Sequence, residues 1–174
     1  MKTNVRNMCI AAVSLALCML LPFLTGQIPQ IGSALSPMHI PVLLCGLLAG
    51  WQWGLLIGAV SPLLRFLLFQ MPPIMPTGLA MCFELAGYGV AAGILVSKLP
   101  KKLPYLYVSL VIAMLAGRLV WGTARYVIGM ALGEPFTFQA FLAGAFLNAI
   151  PGIICHIILI PPIVAGVRKT LREQ

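Results

Sequence analysis

The sequence predicts an all-α integral membrane protein, a bundle of about six transmembrane helices, and three observations carry that fold class. Mean hydropathy is +1.04, and hydrophobic residues fill 61% of the 174 positions. Charged residues make up only 8%, against roughly 25% in a typical soluble domain. Lys and Arg, finally, are not spread over a solvated face; they gather at the ends of apolar runs or sit inside them.

A helix rises about 1.5 Å per residue, and about 20 residues cross the hydrocarbon core. On that measure the runs divide into Met8–Leu24, Met38–Ala49, Trp53–Phe69, Thr77–Ser97, Tyr105–Met130 and Phe138–Val167, and residues 1–174 read as a single transmembrane domain. The first run follows Lys2 and Arg6 as a signal peptide would, but no small-x-small cleavage pattern comes after it, so it is expected to stay as a helix. The second is short for a span, and Pro37 and Pro41 crowd its start, so tilt or irregularity is expected there. The third, fourth and fifth have ordinary span length. The sixth is long, and Pro151, Pro161 and Pro162 should kink it or end its membrane part early.

Basic residues set the orientation. Lys2 and Arg6 precede the first run, Lys98, Lys101 and Lys102 lie between the fourth and fifth, and Arg168, Lys169 and Arg172 follow the sixth. The alternate connections, Thr25–Pro37, Gln70–Pro76 and Ala131–Thr137, contain no Lys or Arg. The positive-inside rule therefore places both termini in the cytoplasm, in a multi-pass protein of a plasma membrane. The outward connections are stiff and irregular: Gln27, Pro29, Gln30 and Gly32 in the first, Met71-Pro72-Pro73 and Pro76 in the second, Gly133, Glu134 and Pro135 in the third. They read either as plain connectors or as a lid over an outward cavity.

Composition excludes several functions. The only acids are Glu84, Glu134 and Glu173, so neither a carboxylate pair nor a Ser/His/Asp set can be assembled, and an enzyme is not expected. Cys9, Cys18, Cys45, Cys82 and Cys155 all lie in apolar stretches without a CxxC or Cys/His cluster, which points to small buried hydrophobes; no metal or other cofactor is expected. The net charge of +8 does not indicate nucleic acid, because the cations sit where a bilayer-embedded chain uses them.

Four charges inside apolar stretches are functional candidates, since an ionised group in hydrocarbon costs several kcal/mol unless paired or wet. These are Arg65, Glu84, Arg118 and Arg125. Arg118, Trp121, Gly122 and Arg125 share one helical face; Glu84 and Tyr88 stack at i, i+4; Phe141, Gly144, Ala145 and Asn148 share another face. Counted from the outer span ends, Arg65 and Arg125 lie roughly 6 to 8 Å deep, Glu84 about 10 Å, Asn148 about 15 Å and Arg118 about 18 Å. The economical reading is an outward-facing ligand pocket lined by Arg65, Glu84, Tyr88, Arg118, Trp121, Arg125 and Asn148, with His39 near its mouth.

Each residue also has a plainer reading. Glu84 can pair with Arg118 or Arg125 only to lock helices, Arg65 and Arg125 can snorkel outward, and Trp121 and Tyr88 can simply pack. His39 fits an interfacial side chain, and His156 fits a hydrogen-bonded core histidine better than a site residue. If all three arginines faced the cavity, one Glu would leave about two positive charges, and a carboxylate or phosphate on the ligand would offset them.

Met8-xxx-Ala12-xxx-Ala16 places small residues on one face of the first helix, where helix backbones can approach closely. With about six spans, inside termini, an outward polar pocket, the run Ser36-Pro37-Met38-His39-Ile40-Pro41 and the stretch from Met71-Pro72-Pro73 to Glu84, the whole chain resembles the substrate-binding S components of energy-coupling factor (ECF) transporters, in particular the bacterial vitamin uptake group. That resemblance implies capture of a vitamin or related micronutrient outside, by the later helices and a loop lid. It also implies docking of a membrane coupling subunit on Ala12 and Ala16, and energy from two cytoplasmic ATPases. The chain has no GxxxxGK[ST] phosphate loop of its own. The alternative is a self-contained secondary transporter with Glu84 as the proton-coupling carboxylate, although no repeat between halves is evident.

Overall fold

A computed structural model describes residues 2–25, 34–100 and 102–172. The positions expected to shape the first outward connection, Gln27, Pro29, Gln30 and Gly32, lie outside the described residues, as do Lys101 and Glu173. The bundle runs α1 (Lys2–Leu20) with a 3-10 turn (Leu21–Thr25), α2 (His39–Ala49), α3 (Trp51–Phe69) and α4 (Leu79–Lys98), the last entered through a wide turn (Ile74–Gly78). It continues with α5 (Leu103–Leu132), a short α6 (Phe138–Leu142), a second wide turn (Ala143–Leu147) and α7 (Ile150–Arg172). No strand occurs among the described residues.

Five of these stretches are long and apolar enough to cross a bilayer: Asn4–Leu24, Trp51–Phe69, Ile74–Lys98, Leu103–Leu132 and Phe138–Thr170. Their outward faces carry an apolar band that includes Leu67, Leu119, Val127 and Ile158, each more than half exposed from the bundle and suited to lipid. Arg6, Lys98, Lys102, Arg168 and Lys169 come together at one end, the basic end, because successive helices alternate in direction.

α2 is the exception in length. Eleven residues reach only about 16 Å, half of the hydrocarbon thickness. Its last carbonyls lie at the basic end, where Asn7 of α1 donates to the Ala49 carbonyl (3.1 Å) and Arg168 of α7 donates to the Leu47 carbonyl (3.1 Å). These donors supply partners that a helix C-terminus otherwise lacks, and the cation favours the negative end of the helix dipole. The first residue of α2, His39, is therefore held near mid-depth. The segment before it enters the bundle against α7: a Cβ on Gly152 would stand 2.6 Å from the Ala34 carbonyl oxygen, so only glycine admits that backbone.

The expected break in the last span is displaced. α7 continues through Pro161 and Pro162 to Arg172, and the irregularity falls instead at Ala143–Leu147. α3 and α4 pack backbone to backbone, with a Cβ on Gly54 only 2.7 Å from the Gly89 carbonyl oxygen, the close approach that small residues permit in membranes. The buried core of the bundle holds Val42 and Leu43 of α2, Leu85 of α4, Leu110 of α5 and Ile160 of α7.

Candidate functional site

Side chains from four helices meet at mid-depth. Glu84 (α4) is 2% exposed and accepts a 2.9 Å hydrogen bond from Nη1 of Arg118 (α5), itself 8% exposed. His39 (α2) brings Nε2 to 3.3 Å from the same carboxylate oxygen. The approach is out of line for a hydrogen bond, and neither ring nitrogen of His39 has a hydrogen-bond partner. Tyr88, one turn after Glu84, packs edge-on to His39 at 5.0 Å between centroids and lies against both Glu84 and Arg118. His156 (α7) stacks on His39 at 6.1 Å with 20° between the ring planes.

Helix length explains the meeting. Along the helices from the basic end, His39 stands about 15 Å up, His156 about 18 Å, Glu84 about 21 Å and Arg118 about 22 Å. A sequence reading that sends α2 across the whole membrane puts His39 at the mouth and separates it from His156. In the structure α2 is half a span, and both histidines are buried, 4% and 3% exposed. His156 is a core histidine bonded to the Ser36 backbone, as its burial requires, and its Nε2 nevertheless has no partner beside the carboxylate cluster. The signal that could have exposed this was the shortness of the Met38–Ala49 run.

Two expected pocket residues lie elsewhere. Arg65 donates to the Met19 carbonyl at the end of α1 (2.8 Å) and is flanked by the rings of Phe23 and Phe69 at 5.3 and 5.2 Å. Asn148 is exposed. The wide turn at Ala143–Leu147 adds a residue relative to α-helical spacing, which leaves Gly144 and Ala145 facing inward and rotates Asn148 away from them.

Arg125 is on the expected face of α5, but its carboxylate partner is Glu134 (3.5 Å), not Glu84, and it lies over Phe136. Trp121 is half-buried above Arg118, edge-on to Phe136 at 5.7 Å and stacked near Phe141 at 6.4 Å. A Cβ on Gly144 would come 2.7 Å from the indole, and Phe141 in turn covers Gly122, so these rings lock α5 to the segment around α6. They form an aromatic rim above the polar centre.

The first helix has two distinct faces. Ala11, Ser14 and Cys18 are buried against the bundle, whereas Met8, Ala12 and Ala16 are exposed on the opposite side. Beside Met8, at the basic end, an open groove between α1 and α3 is lined by Asn4, Val5, Gln52, Trp53 and Leu56. Among the described residues no group of three or more His, Cys, Asp or Glu side chains is arranged to hold a metal ion.

Fold and site together define a multi-helix membrane bundle with a buried polar centre whose hydrogen bonds are incomplete. The family model for the ECF transporter, substrate-specific component, matches residues 6–164, and the chain belongs to that family. It is thus a multi-pass transport protein whose partners are a small-molecule substrate and the membrane ECF module. No curated protein and no solved structure matches it.

Proposed function

We propose that the chain captures a micronutrient of the vitamin type at the outer face of a bacterial plasma membrane and delivers it through an ATP-driven coupling module. The site is formed by His39, Glu84, Tyr88, Arg118 and His156, with Trp121 and Arg125 in the rim above. The observation that carries this reading is His39, a side chain 4% exposed with both ring nitrogens unpartnered beside an ion pair. Buried polar atoms are almost always hydrogen-bonded, and a cluster left incomplete in a transport subunit is where its cargo supplies the missing partners. The absence of Lys and Arg from the alternate connections supports cytoplasmic termini and an outward opening.

Docking of the coupling subunit is assigned to the outer face of α1 at Met8, Ala12 and Ala16. Small exposed residues there would let a partner helix approach the backbone. The test is native mass spectrometry of the purified protein. A small molecule should leave with the wild type and be absent from His39→Phe; retention in the variant counts against the site. Accumulation in vesicles should require the ATPases, and accumulation driven by a proton gradient alone would sink the coupling assignment.

A further inference from the structure

The charges of the centre cancel, and this constrains the cargo. Arg118 is matched by Glu84 at 2.9 Å, and Arg125 by Glu134 at 3.5 Å. Arg65 is satisfied at a separate place, by the Met19 carbonyl and two phenyl faces at the C-terminal, partially negative end of α1. The three arginines therefore do not pool their charge in one cavity, and the centre itself holds one cation matched by one anion.

What remains open is hydrogen-bonding capacity. In the centre, both nitrogens of His39, Nε2 of His156 and Nε of Arg118 are buried without a partner, and in the rim above so is Nη1 of Arg125. An imidazole nitrogen either donates or accepts, so the His39 ring offers unused hydrogen-bonding capacity on both sides. Guanidinium Nε adds a donor beside it. A ligand bearing a full charge would enter a low-dielectric centre whose cation and anion are already paired with each other, which is costly, whereas a neutral one with donors and acceptors completes the set.

We propose that the cargo of this site carries no net charge and presents hydrogen-bond donors and acceptors together, as amide- or hydroxyl-bearing heterocycles do. Three rings, His39, Tyr88 and His156, wall the centre and suit such a ligand's apolar edges. The inference rests on the site assigned under the proposed function.

The experiment uses the full chain in detergent micelles and an aqueous bacterial small-molecule extract split at pH 7 by ion exchange into uncharged, anionic and cationic fractions. The uncharged fraction should raise the melting temperature by roughly 5–10 °C if its ligand is present at about 100 times its Kd. That rise should disappear in His39→Phe. Glu84→Gln can keep a hydrogen bond to Arg118 but moves the net charge by one, and should shift the response toward the anionic fraction. A wild-type rise with only the anionic or cationic fraction, lost in His39→Phe, overturns the neutral class and leaves the site standing. A rise that persists in His39→Phe, or none with any fraction, overturns the site and the class together.

Discussion

Arg65 and Arg118 are both cations buried inside spans, 3% and 8% exposed, yet they do different work. Arg65 closes a structural joint: it takes a carbonyl that α1 cannot satisfy at its own end, and two phenyl rings cover its faces. Arg118 is tied to a carboxylate but keeps a free Nε, next to two histidines with free nitrogens. Burial of charge thus marks neither site nor scaffold by itself. The distinction lies in whether the surrounding polar atoms are used up.

The difference between the two cations is largest at Glu84. Glu84→Leu leaves Arg118 buried without its counter-charge and should cost about 3–5 kcal/mol, read as a large fall in melting temperature. Adding Arg118→Leu should recover most of that loss; a double variant no more stable than the single would mean that the pair is not the unit. Arg65→Leu should cost about 1.5–3 kcal/mol through the lost charge-assisted hydrogen bond and ring contacts. Its ligand affinity should stay within twofold of wild type, and a tenfold loss would put Arg65 back in the pocket.

Arg125→Gln should change stability by less than about 1 kcal/mol, because Glu134 is 56% exposed and such pairs are weak. The smallest effect on stability belongs to Ala12→Leu with Ala16→Leu, within about 0.5 kcal/mol for exposed positions. These variants should keep ligand binding and lose capture of the ECF module in a pull-down; full capture would remove the docking assignment from that face of α1.

Much of the bundle was legible because hydropathy and the placement of Lys and Arg are one-dimensional signals. The shared face of Arg118, Trp121, Gly122 and Arg125 followed from helical spacing, and sign pointed Glu84 to Arg118 or Arg125, but depths counted from span ends did not choose between them. Three features were not legible, each for a three-dimensional reason. The partner of Arg65 is a backbone carbonyl, which no side-chain pattern announces. Asn148 is turned outward by a wide turn that α-helical spacing does not anticipate. His39 and His156 meet because α2 spans half the membrane, and hydropathy reports how apolar a segment is more readily than how far across it reaches.

An eleven-residue helix anchored at the basic end leaves the other half of the bilayer unbridged along its own axis. The described backbone just before His39, residues 34–38, packs against α7 at Gly152 and is shielded there by protein, as non-helical backbone at membrane depth requires. Under the proposed function, a cargo seated beside His39 would lie about half-way through the hydrocarbon, level with the N-terminal end of α2. About 15 Å of α2's length would then separate it from the basic end, and the module of the proposed reading would have a half-thickness wall to open.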